Sequence, residues 1–273
     1  MRYVSQKELG VVEDTLYVPM LGRIYASEQC RRILYDQKAL ELKAKMPEGM
    51  IENDTQTQYT YLASASRSAN MDRYIADFMK RKPNGVIVQL GCGLETTYYR
   101  SDNGHAQWYE VDLPKVISYR RSLLPEEERE KYIEGDAFGS EWIEQIRMEY
   151  PDAPIFVTAS GLFYYFEERK VLGLIRMLQQ YGNIELLFDA VSKSGMAMMK
   201  KKHMKTVGHE DAQMFFYVDS AEELARKVGG NVRILAEENF YRRIPKAGLR
   251  LSTKISMAVS DWLSMVKLIH ITL

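Results

Sequence analysis

The stretch VIVQLGCGLETT, residues 86–97, decides the fold. Val86, Ile87 and Val88 open a short apolar, β-branched run of the kind that is buried on both faces in a parallel sheet. The run ends in Gly91-Cys92-Gly93, and glycines at the carboxyl end of such a strand let the backbone turn sharply and come within contact distance of a ligand. Open α/β sheets bind nucleosides at this place. A dinucleotide site would carry a third glycine at the next helix turn to admit a pyrophosphate, and Thr96 stands there instead. The motif therefore points to a nucleoside without that pyrophosphate, against the plainer reading of a tight turn with no ligand.

Working outward, similar runs recur at WYEVD (108–112), KYIEGD (131–136, weak), PIFVTAS (154–160) and IELLFDAV (184–191). Helical stretches separate them: PKVISYRRSL (114–123), PEEEREK (125–131) and EERKVLGLIRMLQQYG (167–182). Strands alternating with helices predict an α/β fold with a doubly wound, mostly parallel sheet and right-handed crossovers. Upstream, SEQCRRILYDQKALELKAK (27–45) and SASRSANMDRYIADFMKRK (64–82) carry apolar residues at three-to-four spacing, which predicts a helical cap over 1–84. The cofactor-binding core is expected over 85–195. Residues 196–273 are expected to hold a lid segment, the helix SAEELARKVGG (220–230), and NVRILAEENFY (231–241) and LRLSTKISMAV (249–259) as late strands that could pair as an antiparallel edge of a seven-stranded sheet.

The whole chain, 1–273, reads as a single domain, since no repeat, low-complexity segment or linker interrupts it. Lys+Arg and Asp+Glu both number 37, so the basic excess that phosphate binding needs is missing and nucleic acid is not an expected partner. Two cysteines, Cys30 and Cys92, make no disulfide framework and point to a reducing compartment. The N-terminal MRYVSQKELGVVEDT lacks an apolar signal region, and no uninterrupted apolar stretch reaches about 18 residues. These features predict a soluble, cytoplasmic protein without a membrane partner.

Three further stations carry chemistry. Asp112, about 20 residues beyond the glycines, sits where an acid at the tip of the second strand accepts hydrogen bonds from ribose hydroxyls, with Glu110 as its competitor and helix capping as the alternative role. Asp136 and Ala137 follow the third strand, where a carboxylate can accept an adenine amine; alone, Gly135-Asp136 is a turn. Ser160 ends the fourth strand and precedes Phe163, Tyr164, Tyr165 and Phe166, aromatics divided between core and a substrate enclosure. Ser160 lacks the Gly-x-Ser-x-Gly elbow of a nucleophile. His105, His203, His209 and His270 lack partners at metal-ligand spacing, so no metal is expected, and Cys92 reads as a small buried residue. The Met- and Lys-rich GMAMMKKKHMKTVGH (195–209) is a solvated face or, secondly, a flexible lid.

With these stations placed, the chain resembles the leucine carboxyl methyltransferase superfamily, in its bacterial branch of polyketide-type O-methyltransferases. The resemblance rests on LYDQKA (34–39), SRSANMDRYI (66–75), VQLGCGLETTYYR (88–100), WYEVDLPKVISYRR (108–121), GDAFGSEWI (135–143), SGLFYYFEE (160–168) and LLFDAVS (186–192), in family order. It implies a Rossmann-like class I fold and S-adenosyl-L-methionine as cofactor, with S-adenosyl-L-homocysteine as product. It further implies that Arg67 holds the methionyl carboxylate, that Gly91 with its neighbours Cys92 and Gly93 lies against the cofactor, that Asp112 binds the ribose, and that Asp136 and Ala137 flank the adenine. Ser160 stands where many members carry a glutamate, a departure within the cofactor site. The implied activity is O-methylation of a small-molecule hydroxyl or carboxylate. The alternatives are a protein C-terminal carboxylate as acceptor, or a nucleoside-binding protein without turnover; a nicotinamide-dependent dehydrogenase is remote without the third glycine. A carboxylate acceptor needs no base, whereas a hydroxyl would call on His203, His209, Tyr164 or Tyr165. No residue is assigned as catalytic.

Overall fold

In a computed structural model the chain is described over residues 12–46, 56–198 and 214–273. The VIVQL run is strand β1 (Val86–Leu90), with all five residues buried as its composition requires. Around it lie β2 (Gln107–Asp112), β3 (Glu130–Glu134), β4 (Ile155–Ala159) and β5 (Ile184–Val191), all parallel, and β6 (Arg233–Asn239) and β7 (Val266–Thr272). The order across the sheet is β3-β2-β1-β4-β5-β7-β6, and β7 runs antiparallel to both its neighbours. The winding direction reverses between β1 and β4. That switch point opens a crevice at the carboxyl ends of the strands.

Alternation along each strand feeds two cores. Val86, Val88 and Leu90 point to one face with Val157, Leu186 and Phe188, under α6 (Glu141–Glu149), α7 (Glu168–Tyr181) and α8 (Ala221–Val228). Ile87, Trp108, Phe156 and Leu187 point to the other, beneath α3 (Gln58–Arg81) and α9 (Leu251–Trp262). The cap adds α1 (Val12–Gln29) and α2 (Gln37–Leu42), whose Tyr17, Met20, Ile24, Ala39 and Leu42 pack with Leu94 just beyond the glycine loop. At Gly22 a Cβ would lie 2.6 Å from the Tyr61 carbonyl oxygen, so glycine lets α1 press against α3. The remaining helices, α4 (Thr97–Ser101) and α5 (Pro114–Leu123), follow β1 and β2.

Three local expectations are corrected. LRLSTKISMAV is largely helix α9, not a late strand; it turns Thr253, Met257 and Ser260 inward at helical spacing, and the antiparallel edge is built by β6 with β7. PEEEREK is irregular until Glu130 enters β3, because Glu130 is buried against Arg120. SEQCRRILYDQKALELKAK is broken between Gln29 and Gln37, where the buried Asp36 caps α2 by accepting from the Ala39 N–H. Much of the expected lid, with His203, His209 and four of its lysines, lies outside the described residues.

Candidate functional site

Register sets the site. Leu90 pairs with Val111 on one side and Ala159 on the other, Asp112 with Glu134, and Ala159 with Phe188. The next row therefore carries Gly91, Asp112, Glu134, Ser160 and Asp189, one per strand, at or near the carboxyl ends of the five parallel strands.

Gly91 and Gly93 both take positive φ, at 63° and 49°. A Cβ on Gly91 would meet Leu162 Cδ1 at 2.9 Å, and one on Gly93 would meet Leu16 Cδ2 at 3.0 Å, so side chains are excluded by conformation and by space. The Gly93 N–H donates to Asp112 Oδ2 at 2.8 Å, and the Leu113 N–H to Asp112 Oδ1 at 2.7 Å. Asp112 thus shapes the glycine turn itself. Burial pushes its carboxyl above the usual range, against the pull of those two N–H donors. The Gly135 N–H donates to the Asp112 carbonyl at 2.9 Å, tying the end of β3 to β2. Asp136 is exposed and caps its own turn through the Phe138 N–H, while Ala137 is buried. Cys92 is buried, and burial holds its thiol well above the ordinary value, in keeping with an inert side chain.

At the other side of the crevice, Arg67 reaches from α3 to the end of β5. Its Nε donates to Asp189 Oδ2 at 2.9 Å and its Nη2 to the Tyr164 hydroxyl at 3.2 Å. Asp189, 1% exposed, also accepts from the Gly161 N–H at 2.6 Å. Burial opposes the charge of Arg67, but Asp189 and the nearby tyrosines outweigh it and hold the guanidinium firmly protonated. Burial raises the Tyr164 phenol despite Arg67, so it keeps its proton at neutral pH and is a poor general base. Phe163 belongs to the core, while Tyr165 remains exposed. His105 is exposed ahead of β2, and His270 bonds Glu185 at the opposite end of the sheet. Among the described residues no cluster of metal-binding side chains occurs.

Two buried ionic clusters grip the chain beyond the glycines. In the first, Arg23 and Arg100 enclose Glu95: Arg23 Nη1 donates to its Oε2 at 3.0 Å and Arg100 Nη2 to its Oε1 at 2.9 Å, joined by Ser68 Oγ and the Thr96 N–H. Asp36 accepts from Arg100 Nη1 and Thr96 Oγ1, and Arg100 makes a two-pronged pair with Asp72. In the second, Arg120 donates to the carbonyls of Gly93 and Glu95 and to Glu130 Oε1, and lies 3.9 Å from Glu110.

Glu110 is thereby removed as the competitor of Asp112, being wholly buried and bonded to Gln89. The structure brings Gly91, Gly93 and Asp112 into one turn and places Arg67 beside Ser160-Gly161 at the end of β4. The sequence reading missed Asp189. A signal existed, since an acid inside the apolar run LLFDAV (186–191) demands a buried partner. That partner, Arg67, lies 122 positions away.

Comparison with known proteins agrees with this frame. The model of the leucine carboxyl methyltransferase family matches residues 4–179. The tetracenomycin polyketide synthesis O-methyltransferase TcmP of Streptomyces glaucescens is 26% identical over 182 residues, 66% of this chain and 66% of that protein, so the match spans just under two thirds of that relative's length. Among solved structures, a DUF574 family protein from Streptomyces avermitilis superposes with a TM-score of 0.57 at 15% identity, covering 92% of this chain and 96% of that one. Magnesium protoporphyrin IX methyltransferase from Synechocystis, solved with bound SAH, gives 0.52 at 11% identity over 93% and 98%. Both likenesses concern the fold.

Proposed function

Because this chain belongs to the leucine carboxyl methyltransferase family, we propose that it is an S-adenosyl-L-methionine-dependent O-methyltransferase acting on a hydroxyl or carboxylate of a small molecule. The observation that carries the reading is the turn at Gly91-Cys92-Gly93: two left-handed glycines with no room for a Cβ, fixed by Asp112 at the switch point of the sheet. Such a turn offers backbone close to a ligand. Gly91 and Gly93 would lie against the nucleoside, Asp112 would accept from its ribose, and Ala137 with the Asp136 turn would border the base. Arg67 would hold the amino-acid carboxylate, for which its Nη1 makes no bond to a described residue. The fit is thus one cation for one anion and one acid for the ribose diol.

When bound, S-adenosyl-L-methionine supplies an electrophilic methyl on a sulfonium, open to in-line displacement by an acceptor oxygen. The protein's part is to align that oxygen and to exclude water. Leu162 against Gly91 and Leu16 against Gly93 close the turn with apolar side chains. A carboxylate acceptor arrives already ionised, which suits a pocket whose Tyr164 retains its proton. The free thiols of Cys30 and Cys92 support a reducing, cytoplasmic setting, and among the described residues no helix is long and apolar enough to cross a membrane.

Calorimetric titration with S-adenosyl-L-methionine, S-adenosyl-L-homocysteine and NAD tests the reading. Binding of the first two and not the third is expected; binding of none would reduce the glycine motif to a turn. Asp112→Ala should weaken S-adenosyl-L-homocysteine by about tenfold or more, the loss of a charge-assisted hydrogen bond together with its grip on Gly93. Unchanged affinity would remove Asp112 from the ribose site.

A further inference from the structure

We infer that Asp189 is a positioning residue for the bound amino-acid arm: it fixes the Arg67 guanidinium in the one orientation that leaves Nη1 for a ligand carboxylate. The inference rests on the cofactor reading above and adds to it a residue on β5 with no direct ligand contact.

Three surfaces confine the guanidinium. Asp189 Oδ2 takes the Nε–H at 2.9 Å, and the Tyr164 hydroxyl takes Nη2 at 3.2 Å. Against Cζ and Nη1 lies the turn at the end of β4, where a Cβ on Gly161 would stand 3.2 Å from both atoms. Gly161 has φ +68°, so glycine serves both the turn and the close approach. The remaining nitrogen, Nη1, has no bond to a described residue.

Asp189 is held as firmly as it holds. Its Oδ1 accepts the Gly161 N–H at 2.6 Å while Oδ2 faces Arg67, so each oxygen has a partner and the carboxylate is spent on protein contacts. It sits next to Ser160 in the row of strand ends, because Ala159 pairs with Phe188. Ser160 brings no charge of its own. The Asp189 carboxylate is therefore directed to the arginine and the β4 turn, not to the ligand. An arginine with one fixed Nε partner and one fixed Nη2 partner has lost the rotamer freedom that a surface arginine would surrender on binding. Fixing a charged donor before the ligand arrives is how a buried carboxylate improves binding without touching it.

Two ligands differing at the relevant end provide the test: S-adenosyl-L-homocysteine, which carries the amino-acid carboxylate, and 5′-methylthioadenosine, which lacks the whole arm. Asp189→Asn keeps an acceptor for Gly161 but turns an amide toward Nε, and should weaken S-adenosyl-L-homocysteine by about 10- to 100-fold while 5′-methylthioadenosine changes by less than about twofold. Tyr164→Phe removes only the Nη2 acceptor and should weaken the first ligand alone, by about threefold; it carries the test should Asp189→Asn not fold. In an Arg67→Gln background, Asp189→Asn should have an effect below about twofold, since the arginine through which it acts is gone. Equal losses for both ligands would make Asp189 merely structural and overturn the inference, as would no loss for either. Wild-type protein that binds neither ligand would overturn the cofactor reading itself, and this inference with it.

Discussion

Glu95 and Glu110 are the same kind of residue and lie close to the same glycine turn, Glu110 wholly buried and Glu95 14% exposed, yet their protons behave oppositely. Glu95 accepts from Arg23, Arg100, Ser68 and the Thr96 N–H, and although burial opposes ionisation, the two arginines hold its carboxyl well below the usual range. Glu110 accepts from Gln89 and faces the Cys92 thiol, with Arg120 at 3.9 Å and shared with Glu130, and among the described residues its Oε2 has no hydrogen-bond partner. Burial therefore prevails, the neighbouring Glu130 adds to it, and Glu110 is pushed upward. Burial alone does not decide the charge state of a carboxylate. The number of donors aimed at it does.

The difference has a mechanical side. The Glu95 cluster joins α1, the turn before α2, α3 and α4 to the chain leaving the glycines, so the cap is tied to the candidate site by ionised groups. The Glu110 cluster lies beneath the turn and holds it through Arg120, which donates to the carbonyls of Gly93 and Glu95. One cluster works by charge satisfied on all sides, the other by a guanidinium shared between two acids of which one tends to stay neutral.

The severest way to break the contrast is Asp36→Ala. Asp36 is wholly buried and serves Arg23, Arg100, Thr96 and the N-terminus of α2 together, and its removal leaves two arginines short of an acceptor. Urea unfolding should show a loss of about 3–5 kcal/mol; a loss below about 1 kcal/mol would mean that the cluster behaves like surface charge. Glu95→Gln, which keeps the shape, should cost about 1–3 kcal/mol at neutral pH. Since the folded state lowers the Glu95 pKa, its contribution is complete above its ordinary value of 4.5 and is lost as pH falls below it. The gap between wild type and Glu95→Gln should accordingly narrow on acidification, and a constant gap would deny that Glu95 is ionised in the fold.

How much of this was legible in the sequence depends on whether a feature is local. The strand and glycine turn at 86–97, the acid at Asp112 and the turn at Gly135 could be read because each is fixed by neighbours in the chain. LRLSTKISMAV misled for the same reason: Leu249, Leu251, Ile255, Met257 and Val259 alternate as in a strand, while the helix buries Thr253, Met257 and Ser260 and leaves Leu251, Ile255 and Val259 at the surface. The true seventh strand, VKLIHIT, was hidden by Lys267 and His270, whose partners Glu237 and Glu185 come from β6 and β5. The Arg67–Asp189 and Arg23–Glu95 pairs join residues 122 and 72 positions apart, and composition carries no sign of such pairing.

The mildest substitution sharpens the comparison most. Glu110→Gln preserves the acceptor for Gln89 and removes only a proton that the fold tends to retain, so near pH 6 its effect on stability should stay within about 1 kcal/mol. The groups facing that position are Arg120, Glu130, Glu95 and the Cys92 thiol. A raised pKa in the folded state means that the unfolded chain releases the proton first, so wild-type stability should decline as pH rises from 4.5 through the raised value. Glu110→Gln has no proton to release there and should lose that part of the slope. Unfolding measured from about pH 5 to about pH 9 should then show the variant gaining on wild type and overtaking it at the alkaline end. A parallel course would mean that Arg120 keeps Glu110 ionised, and that the two glutamates differ in partners but not in charge.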